Sequence, residues 1–372
     1  MSELKFTCLD PRKKKRARIS RALSACGRIK WKRMAPLSFR KWPEAKREAE
    51  IAMAMSPNDR GWRIPKPIIK WSLMLQYNGA RAYFEKHSDE VAVCWNGLNG
   101  TRRVFMQAAK ASGARTLLFE LGPFPNRITV DPQGVNNENS LPRNPAPYFA
   151  WFPSADAKDW REIRGQIKQR KAIKKADKAD APPLSEPFIF VVLQYPGDSQ
   201  LRLQGGAFRT VEAFISAIGE AANNLPEGWH IRIKEHPSSP HSFADEVQAL
   251  RDRRVYLDNT NDTFLQVEAS KAVVTVNSSV GLESMFYDKP VVACGQCFWA
   301  IDGVAHHAGD QPALNAVVQQ PETITFSAET RAAFLTYLDQ VYYPQDSDDS
   351  DKKLILDRLS GRDKFGFWEL TR

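Results

Sequence analysis

Two stretches of this chain alternate short strand-like runs with amphipathic helices, and this alternation constrains the fold more than any other feature. In the first stretch, Glu90–Trp95 and Thr116–Glu120 predict buried strands, and residues 102–111 between them predict a helix. The apolar residues 68–77 ahead of them predict a further helix. Strands that are apolar on both faces and joined through a helix are typical of a parallel sheet. We therefore expect an α/β unit here.

The second stretch repeats the pattern from residue 188 onward. Its predicted strands are residues 188–193, 229–234, 255–257, 272–276 and 290–293. Its predicted helices are residues 210–223, 263–270, 279–287 and 331–343, followed by a terminal helix from Lys352. Between the stretches, the charged residues 156–180 and the Pro-rich residues 181–187 predict a polar helix and a domain boundary. The sequence thus predicts two Rossmann-like α/β domains with a ligand cleft between them and a C-terminal helix.

The positive charge of the chain is concentrated near its N-terminus. The chain holds 53 Lys and Arg against 43 Asp and Glu, whereas residues 1–50 alone hold 16 against 5. The rest of the chain is therefore almost neutral. Because Trp31 and Trp42 are interleaved with the basic residues, we interpret residues 11–50 as a loosely ordered arm or as a segment that binds nucleic acid or an anionic membrane surface. A solvated basic tail is the simpler alternative.

Cysteine usage and the N-terminal residues bear on the compartment. Five cysteines in 372 residues favour a reducing environment over a disulfide framework. No secretory signal precedes the basic run, and no stretch reaches the roughly 18 apolar residues of a membrane span. Cys294 and Cys297 lack a second cysteine pair for zinc, and His306–His307 lacks a carboxylate at ligand spacing, so we interpret the latter as loop. We expect a cytoplasmic protein without a metal.

Polar residues follow two predicted strands of the second domain, at the ends where open α/β sheets bind ligands. After residues 272–276, the sequence 277–283 (NSSVGLE) opens a helix whose free N–H groups suit a phosphate. After residues 229–234, Pro237 fixes a turn that leaves His236 at the mouth of the sheet. Taken alone, the first feature is also explained as a Ser N-cap, and the second as a histidine in a Pro-rich loop. Together they predict a site for a nucleoside monophosphate.

Two carboxylates complete the set of strand-end residues. Gly197 and the preceding proline expose Asp198 on a tight loop, as a carboxylate nucleophile requires, although an ordinary Asx turn explains this loop as well. Glu120 ends a predicted strand of the other domain. Sugar transfer uses such a pair, in which one carboxylate attacks the anomeric carbon and the other moves a proton.

These motifs resemble the bacterial capsule polysaccharide biosynthesis family, the β-Kdo glycosyltransferases that use CMP-Kdo. The resemblance rests on residues 197–199 (GDS), 234–237 (KEHP), 277–283 (NSSVGLE) and 288–292 (DKPVV), and it covers about residues 90–310. It implies a GT-B-like fold and the transfer of Kdo from CMP-β-Kdo to a bacterial surface polysaccharide, with retention of configuration. No cofactor or metal is implied, because CMP is a leaving group with a single phosphate. The acceptor implied is a glycan, which a lipid can carry at the inner membrane.

The same resemblance assigns roles to residues. Asp198 becomes the nucleophile that forms a covalent Kdo–enzyme intermediate, and Glu120 becomes the acid/base. The implied CMP-binding residues are Lys234, His236, Pro237, Ser278, Ser279 and Glu283, and the candidates for the Kdo carboxylate, on charge alone, are Arg127 and Arg202. Family members commonly carry a second acidic residue directly after the catalytic Glu, where this chain has Leu121.

Composition and pattern predict four parts of the chain: a basic segment at residues 1–50, α/β domains at residues 51–180 and 185–345, and a C-terminal tail and helix at residues 346–372. The resemblance implies that the first α/β domain is the acceptor side and that the second binds the CMP-sugar.

Other functions fit the sequence less well. A nucleotide oxidoreductase needs a Gly-x-Gly-x-x-Gly turn and a P-loop enzyme needs Gly-x4-Gly-Lys-Ser/Thr, and this sequence has neither. The His-Pro and Ser-Ser pair also occurs in bacterial sialyltransferases, so transfer of sialic acid from its CMP donor is the main alternative. A basic protein that binds nucleic acid or a membrane surface is the alternative from another class, with nucleic acid the less favoured partner.

Overall fold

The computed structural model describes residues 3–56, 64–155, 159–167, 181–347 and 352–360, which form two compact α/β units. Unit 1 comprises residues 1–122, 126–142 and 338–372, and unit 2 comprises residues 123–125 and 143–337. The predicted polar helix falls mostly on residues 156–158 and 168–180, which lie outside the described residues. The α/β class with two Rossmann-like units, predicted from strand and helix spacing, is confirmed.

Unit 1 is built on a five-stranded sheet in the order β2-β1-β3-β4-β5, in which only β5 is antiparallel. Its strands are β1 Leu4–Leu9, β2 Gly27–Lys32, β3 Glu90–Trp95, β4 Thr116–Leu121 and β5 Ile128–Asp131. Its helices are α1 Lys13–Leu23, α2 Ala45–Ala54, α3 Lys66–Lys86, α4 Gly100–Ala111 and, near the C-terminus, α13 Lys352–Leu359. Alternate residues of β3 and β4 pack into apolar clusters on opposite faces of the sheet, which explains why residues 91–95 and 117–119 are all apolar.

Unit 2 is built on a six-stranded, fully parallel sheet in the order β11-β10-β9-β6-β7-β8. Its strands are β6 Phe188–Val192, β7 His230–Lys234, β8 Val255–Leu257, β9 Ala272–Thr275, β10 Val291–Ala293 and β11 His306–His307. Its helices are α5 Ala146–Trp151, α6 Ser199–Gln204, α7 Val211–Ala221, α8 Ala244–Gln248, α9 Thr263–Ala269, α10 Ser279–Met285, α11 Gln311–Gln319 and α12 Ala328–Tyr337. A π-helical turn, Leu338–Tyr342, follows α12 as the chain returns to unit 1. The predicted strands and helices of this stretch are confirmed within a few residues; residues 306–307, predicted as loop, form the edge strand β11.

The first 50 residues do not form a separate basic segment, so the predicted domain boundaries need correction. Strand β1 lies inside the first sheet and pairs with β2 on one side and β3 on the other. The run Arg12–Arg18 largely forms the start of α1, whose Ile19 and Leu23 are fully buried in the core. An apolar strand and an amphipathic helix outweigh the charge here, because the basic side chains point away from the buried face. The described residues 338–347 and 352–360 likewise belong to unit 1, and the predicted C-terminal helix is present there as α13.

Several basic residues of α1 are held within unit 1. The guanidinium of Arg16 stacks on Trp31, and Arg18 and Arg21 both pair with Asp346, at 2.8 and 2.9 Å. Lys13 and Lys14 are exposed. A large part of the basic run therefore stabilises the fold instead of forming a free arm.

Among the described residues, no helix is both long enough and apolar enough to cross a bilayer.

Candidate functional site

The strand order of unit 2 creates a switch point between β6 and β9. From β6 the chain adds β7 and β8 on one side of the sheet, and then β9, β10 and β11 on the other. The loops that leave β6 and β9 therefore diverge above two neighbouring strands, and the crevice between such loops is where open α/β sheets bind ligands. The motifs predicted from the sequence at residues 194–200 and 277–283 both lie at this point.

A pair of amide side chains joins the two loops at the switch point. Gln194 Nε2 donates to Asn277 Oδ1 over 2.7 Å, and the backbone N–H of Asn277 donates to Gln194 Oε1 over 3.0 Å. Asn277 Nδ2 also donates to the carbonyl of Gln200 at 3.1 Å. Gln194 is buried, so these bonds form away from water and fix the relative position of the loops. Sequence reasoning passed over Gln194 as a site residue; its place directly after β6 was the available signal.

Asp198 lies within this network as the N-cap of α6. Its Oδ1 accepts from the backbone N–H of Gln200 at 2.9 Å, and its Oδ2 lies 3.3 Å from Gln194 Nε2. The Asx turn considered from the sequence is therefore present. Among the described residues, Oδ2 accepts one long hydrogen bond, from the side chain of Gln194, so it is the less engaged oxygen of this half-buried residue.

His236 follows β7 in the neighbouring loop. Its Nδ1 accepts from the backbone N–H of Ser238 at 3.1 Å, so a neutral ring carries its proton on Nε2. The ring packs edge-on against Tyr195 from the β6 loop, with centroids 5.9 Å apart. Pro237 holds the turn that follows. His236 is thus brought to the same edge of the sheet as Asp198, with an N–H that suits a phosphate oxygen.

The Ser-Ser motif opens α10, as predicted. Ser278 is the N-cap and accepts from Val280 N at 3.3 Å, while Ser279 is exposed and Glu283 is half-buried one turn later. Gly281 lets the helix approach the ring of Trp299 closely: a Cβ at this position would lie 2.6 Å from that ring. The loop after β10 also reaches this edge, since Gln296 N donates to Gln204 O at 2.7 Å.

Lys234 lies at the end of β7 but its side chain points elsewhere. The ammonium group is buried and donates to the carbonyls of Asn259 and Asn261, in the loop after β8. Burial lowers the pKa of this lysine. Because the ammonium group already donates hydrogen bonds to these two carbonyls, Lys234 has a structural role here instead of the predicted contact with CMP.

The two arginines proposed for the Kdo carboxylate differ in their surroundings. Arg127 pairs with Asp339 at 2.9 Å and donates to the carbonyl of Tyr343 at 3.0 Å, so its guanidinium ties β5 to the segment after α12. Arg202 lies on α6, one turn after Asp198, and is half-buried. Of the two, only Arg202 lies at the switch point of unit 2.

Glu120 lies at the carboxyl edge of the sheet in unit 1. Its Oε1 accepts from Trp95 Nε1 and its Oε2 from Asn96 Nδ2, both at 2.8 Å. These bonds, from the end of the neighbouring strand β3, fix the half-buried carboxylate in one orientation.

Basic residues that sequence reasoning had assigned to a free arm surround the same edge. Arg12 binds the buried Asp10 through Nε at 2.9 Å and Nη2 at 2.6 Å. Hydrogen bonding to Asp10, together with the charges of Asp10 and Glu120, raises the pKa of Arg12. Lys15 lies 3.8 Å from the centre of the Trp95 ring, and burial lowers its pKa. Among the described residues Lys15 has no ion-pair partner, so this edge of the sheet suits an anionic ligand.

The family model described as "Capsule polysaccharide biosynthesis protein" matches residues 154–343. Protein FixF of Sinorhizobium fredii is 30% identical, over 68% of this chain and 60% of its own length, so the chain spans about three fifths of that relative. The capsule polysaccharide export protein KpsS of Escherichia coli is 24% identical, over 61% of this chain and 72% of its own.

Among solved structures, a β-Kdo 2,7 transferase, KpsC of Thermosulfurimonas dismutans, has a similar fold. It superposes with a TM-score of 0.53 at 13% identity, over 96% of this chain and 100% of the other. At this identity the likeness concerns the fold alone, which is GT-B-like, as the motif resemblance implied.

Proposed function

Because the chain belongs to the capsule polysaccharide biosynthesis family, we propose that it is a retaining glycosyltransferase that moves Kdo from CMP-β-Kdo to a glycan of a bacterial surface polysaccharide. The observation that carries the proposal is the convergence of the loops after β6, β7 and β9 at the switch point of unit 2. There a carboxylate, an imidazole N–H and a Ser-rich helix start occupy one edge of the sheet. The choice of Kdo as the sugar follows the motif resemblance at residues 197–199, 234–237 and 277–283.

In the proposed mechanism, Asp198 Oδ2 attacks the anomeric carbon of Kdo and CMP leaves. The N-cap bond from Gln200 N holds Oδ1, so Oδ2 is the attacking atom. A hydroxyl of the acceptor then attacks the Asp-linked sugar from the face that CMP left, and the two inversions give net retention. Glu120 accepts the proton of this hydroxyl.

The leaving phosphate is the second charge to be stabilised. His236 Nε2–H, Ser278 and Ser279 are proposed to hold it, with Pro237 fixing the loop, Glu283 contacting the ribose hydroxyls and Arg202 binding the Kdo carboxylate. Placed donors of this kind stabilise developing charge without a metal. We therefore expect transfer to continue at an unchanged rate in excess EDTA, and loss of activity that Mg²⁺ or Mn²⁺ restores would contradict this part.

The nucleophile is tested with Asp198→Asn, because Asn keeps the N-cap bond and the fold. We expect transfer from CMP-β-Kdo to fall by about a thousandfold or more, in line with loss of a catalytic nucleophile. Asp262→Asn is the matched control, since Asp262 caps α9 in the same way and accepts from Phe264 N at 2.7 Å. The readouts are CMP release, product mass and a Kdo adduct on the intact protein in slowed variants such as Glu120→Gln. Full activity of Asp198→Asn would refute the nucleophile assignment.

The donor is tested in the same assay. Turnover with CMP-sialic acid but not with CMP-Kdo would move the protein to the sialyltransferase alternative. The phosphate site is tested by calorimetry with CMP: His236→Ala combined with Ser279→Ala should weaken binding about a hundredfold, whereas the exposed His241→Ala should leave it unchanged.

The acceptor side is proposed to lie on unit 1, around Glu120, in a protein that works at the cytoplasmic face of the inner membrane. The acceptor would then be carried on a lipid, and the anionic membrane surface would be a partner. The cationic groups of Arg12 and Lys15 beside Glu120 support an acceptor with negative charge.

A further inference from the structure

Unit 1 exposes a group of large apolar side chains that no part of the proposed chemistry uses. Of the eight large hydrophobic residues that are exposed among the described residues, six come from residues 34–71: Met34, Leu37, Phe39, Ile64, Ile68 and Trp71. Phe39 is 78% exposed and Trp71 55%. Single exposed apolar residues are ordinary, but a group of this kind marks a contact surface.

These residues come from two segments that the fold holds together. The loop after β2 lies along α3, where Ser38 N donates to Leu75 O at 3.1 Å. Gly79 of α3 permits the close approach, because a Cβ there would overlap the Pro36 carbonyl. The rings of Phe39 and Trp71 are 6.4 Å apart, and Ile68 lies one turn before Trp71 on the same face of α3. We call Leu37, Phe39, Ile68 and Trp71 the apolar face.

The segments that carry the apolar face are rich in basic residues. Residues 27–43 and 64–84, which contain it, hold nine Lys and Arg and no Asp or Glu. Arg33, Lys41 and Lys66 are exposed. The guanidinium of Arg40 lies over the ring of Trp42, 4.5 Å from its centre, and pairs with Glu85 at 3.5 Å. Lys70 pairs with Glu50. The basic rim therefore rests on the three exposed residues named above. Exposed aromatic and aliphatic side chains within a basic rim suit an interface between water and anionic lipid.

The topology places the apolar face near the proposed acceptor edge. Strand β2 is parallel to β1, β3 and β4, so its loop starts from the same edge of the sheet as Glu120. Helix α3 ends four residues before β3 begins, at the opposite edge, so its first turns with Ile68 and Trp71 also lie toward the edge of Glu120. A partner bound to the apolar face would thus lie on the side from which an acceptor would reach Glu120. This relation to the acceptor rests on the proposed function, whereas the docking itself does not.

We propose that the apolar face of unit 1 docks the protein on an anionic phospholipid bilayer, with Phe39 and Trp71 inserted at headgroup level. A second copy of the chain fits less well, because a two-fold contact through this face would bring its positive charges together. Single-stranded nucleic acid would use the aromatic rings but not Leu37 or Ile68, since aliphatic side chains do not stack on bases. The bilayer accounts for the aromatic, aliphatic and basic residues alike.

The test is co-sedimentation of the full-length protein with vesicles of phosphatidylcholine, with and without 30 mol% phosphatidylglycerol as roughly the anionic fraction that recruits basic surfaces. We expect binding to the anionic vesicles only, and Phe39→Ser combined with Trp71→Ser should weaken it at least tenfold, as expected for losing two interfacial aromatic residues. Leu265→Ser is the apolar control, since Leu265 is similarly exposed on unit 2. Lys13→Glu combined with Lys14→Glu is the charge control on α1, and Arg33→Glu combined with Lys41→Glu is its counterpart beside the apolar face.

Each outcome decides the proposal. Unchanged vesicle binding in the Phe39/Trp71 variant, or an effect as large from the α1 charge control as from the Arg33/Lys41 variant, would overturn it. A dimer of the wild type that the Phe39/Trp71 variant dissociates in the absence of lipid, or RNA binding that this variant abolishes, would assign the face to those partners instead. Transfer to a water-soluble acceptor is measured in parallel: if the wild type transfers no sugar but the docking results hold, only the proposed function fails.

Discussion

Gln194 shows how a single buried amide can organise a site. It bonds Asn277 in both directions and also reaches Asp198, so it links the loop of the proposed nucleophile to the loop of the proposed phosphate site. Amide groups suit this position because one side chain offers both a donor and an acceptor without adding charge beside a carboxylate.

Replacing Gln194 by Leu should impair the site more than the fold. The change removes both bonds to Asn277 and leaves buried polar groups unpaired, at about 1–3 kcal/mol in the free energy of unfolding. We expect kcat for Kdo transfer to fall at least tenfold, because Asp198 loses its neighbour. Steady-state kinetics and urea denaturation measure the two effects. Gln319→Leu on the exposed surface of α11 is the control, and equal kinetics in both variants would contradict a positioning role.

His230 is a residue whose burial has a consequence for stability. Its ring lies between Phe188, stacked at 5.4 Å, and Tyr256, edge-on at 5.8 Å. Burial, and then the charge of Arg232, lowers the pKa of His230 to about 4. The residue is therefore neutral in the folded protein near neutral pH.

The free energy of unfolding should decrease as the pH falls from about 6.5 toward 4. Below pH 6.5 the unfolded chain binds a proton at His230 that the folded protein does not bind until its pKa is reached, so acid favours unfolding, by at most about 3 kcal/mol. His230→Phe should remove this part of the pH dependence, and His241→Phe should leave it. Urea denaturation at pH 7 and pH 5 compares them; the same pH dependence in His230→Phe as in the wild type would contradict the assignment.

At the scale of elements, the terminal helix α13 is bound to unit 1 by one arginine. Arg358 is buried, and its guanidinium donates to the carbonyls of Val341, at 2.7 Å, Tyr342, at 2.6 Å, and Val130. Ile355 and Leu359 pack into the core on the same side. A helix of eight residues is too short to be stable alone, so these contacts keep it folded.

Replacing Arg358 by Met should release α13. The side chain keeps its apolar volume, but three buried carbonyls lose their donor, so we expect the free energy of unfolding to drop by about 2–4 kcal/mol. Lys353→Met, on the exposed face of the same helix, is the control and should change stability by less than about 0.5 kcal/mol. Hydrogen exchange of residues 352–360 locates the effect; full protection there in Arg358→Met would contradict it.

At the scale of the whole molecule, unit 1 is assembled from both ends of the chain. Residues 338–347 return to it after α12, where Tyr342 donates to the buried Asp131 at 2.9 Å and Asp339 pairs with Arg127. Unit 2, in contrast, is almost one continuous segment. Unit 1 therefore depends on contacts between residues that are more than 200 positions apart in the chain.

Truncation should accordingly destabilise unit 1 in two steps. A chain that ends at residue 347 loses α13 and Arg358, and one that ends at residue 337 also loses the bonds to Asp131 and Arg127. We expect each step to lower the thermal midpoint of unit 1 by several degrees, at about 4–8 °C per kcal/mol for a small domain. Differential scanning calorimetry, with hydrogen exchange to assign the transitions, measures both. Equal midpoints for the two truncated chains would contradict a role for residues 338–347.

The sequence alone determined the local elements and the chemistry at their ends. Apolar runs such as residues 90–95 and 188–193 predicted strands because burial on both faces leaves a pattern in the residues themselves, and the motifs around Asp198, His236 and Ser278 identified the family. Tertiary structure decided which strands are neighbours. Strand β1 lies inside the sheet, between β2 and β3, although the basic run that follows it led the sequence to predict a separate basic segment. It also decided where side chains point: Lys234 turns to the loop after β8, and Gln194 meets Asn277. Such contacts join residues far apart in the chain, and no local pattern records them.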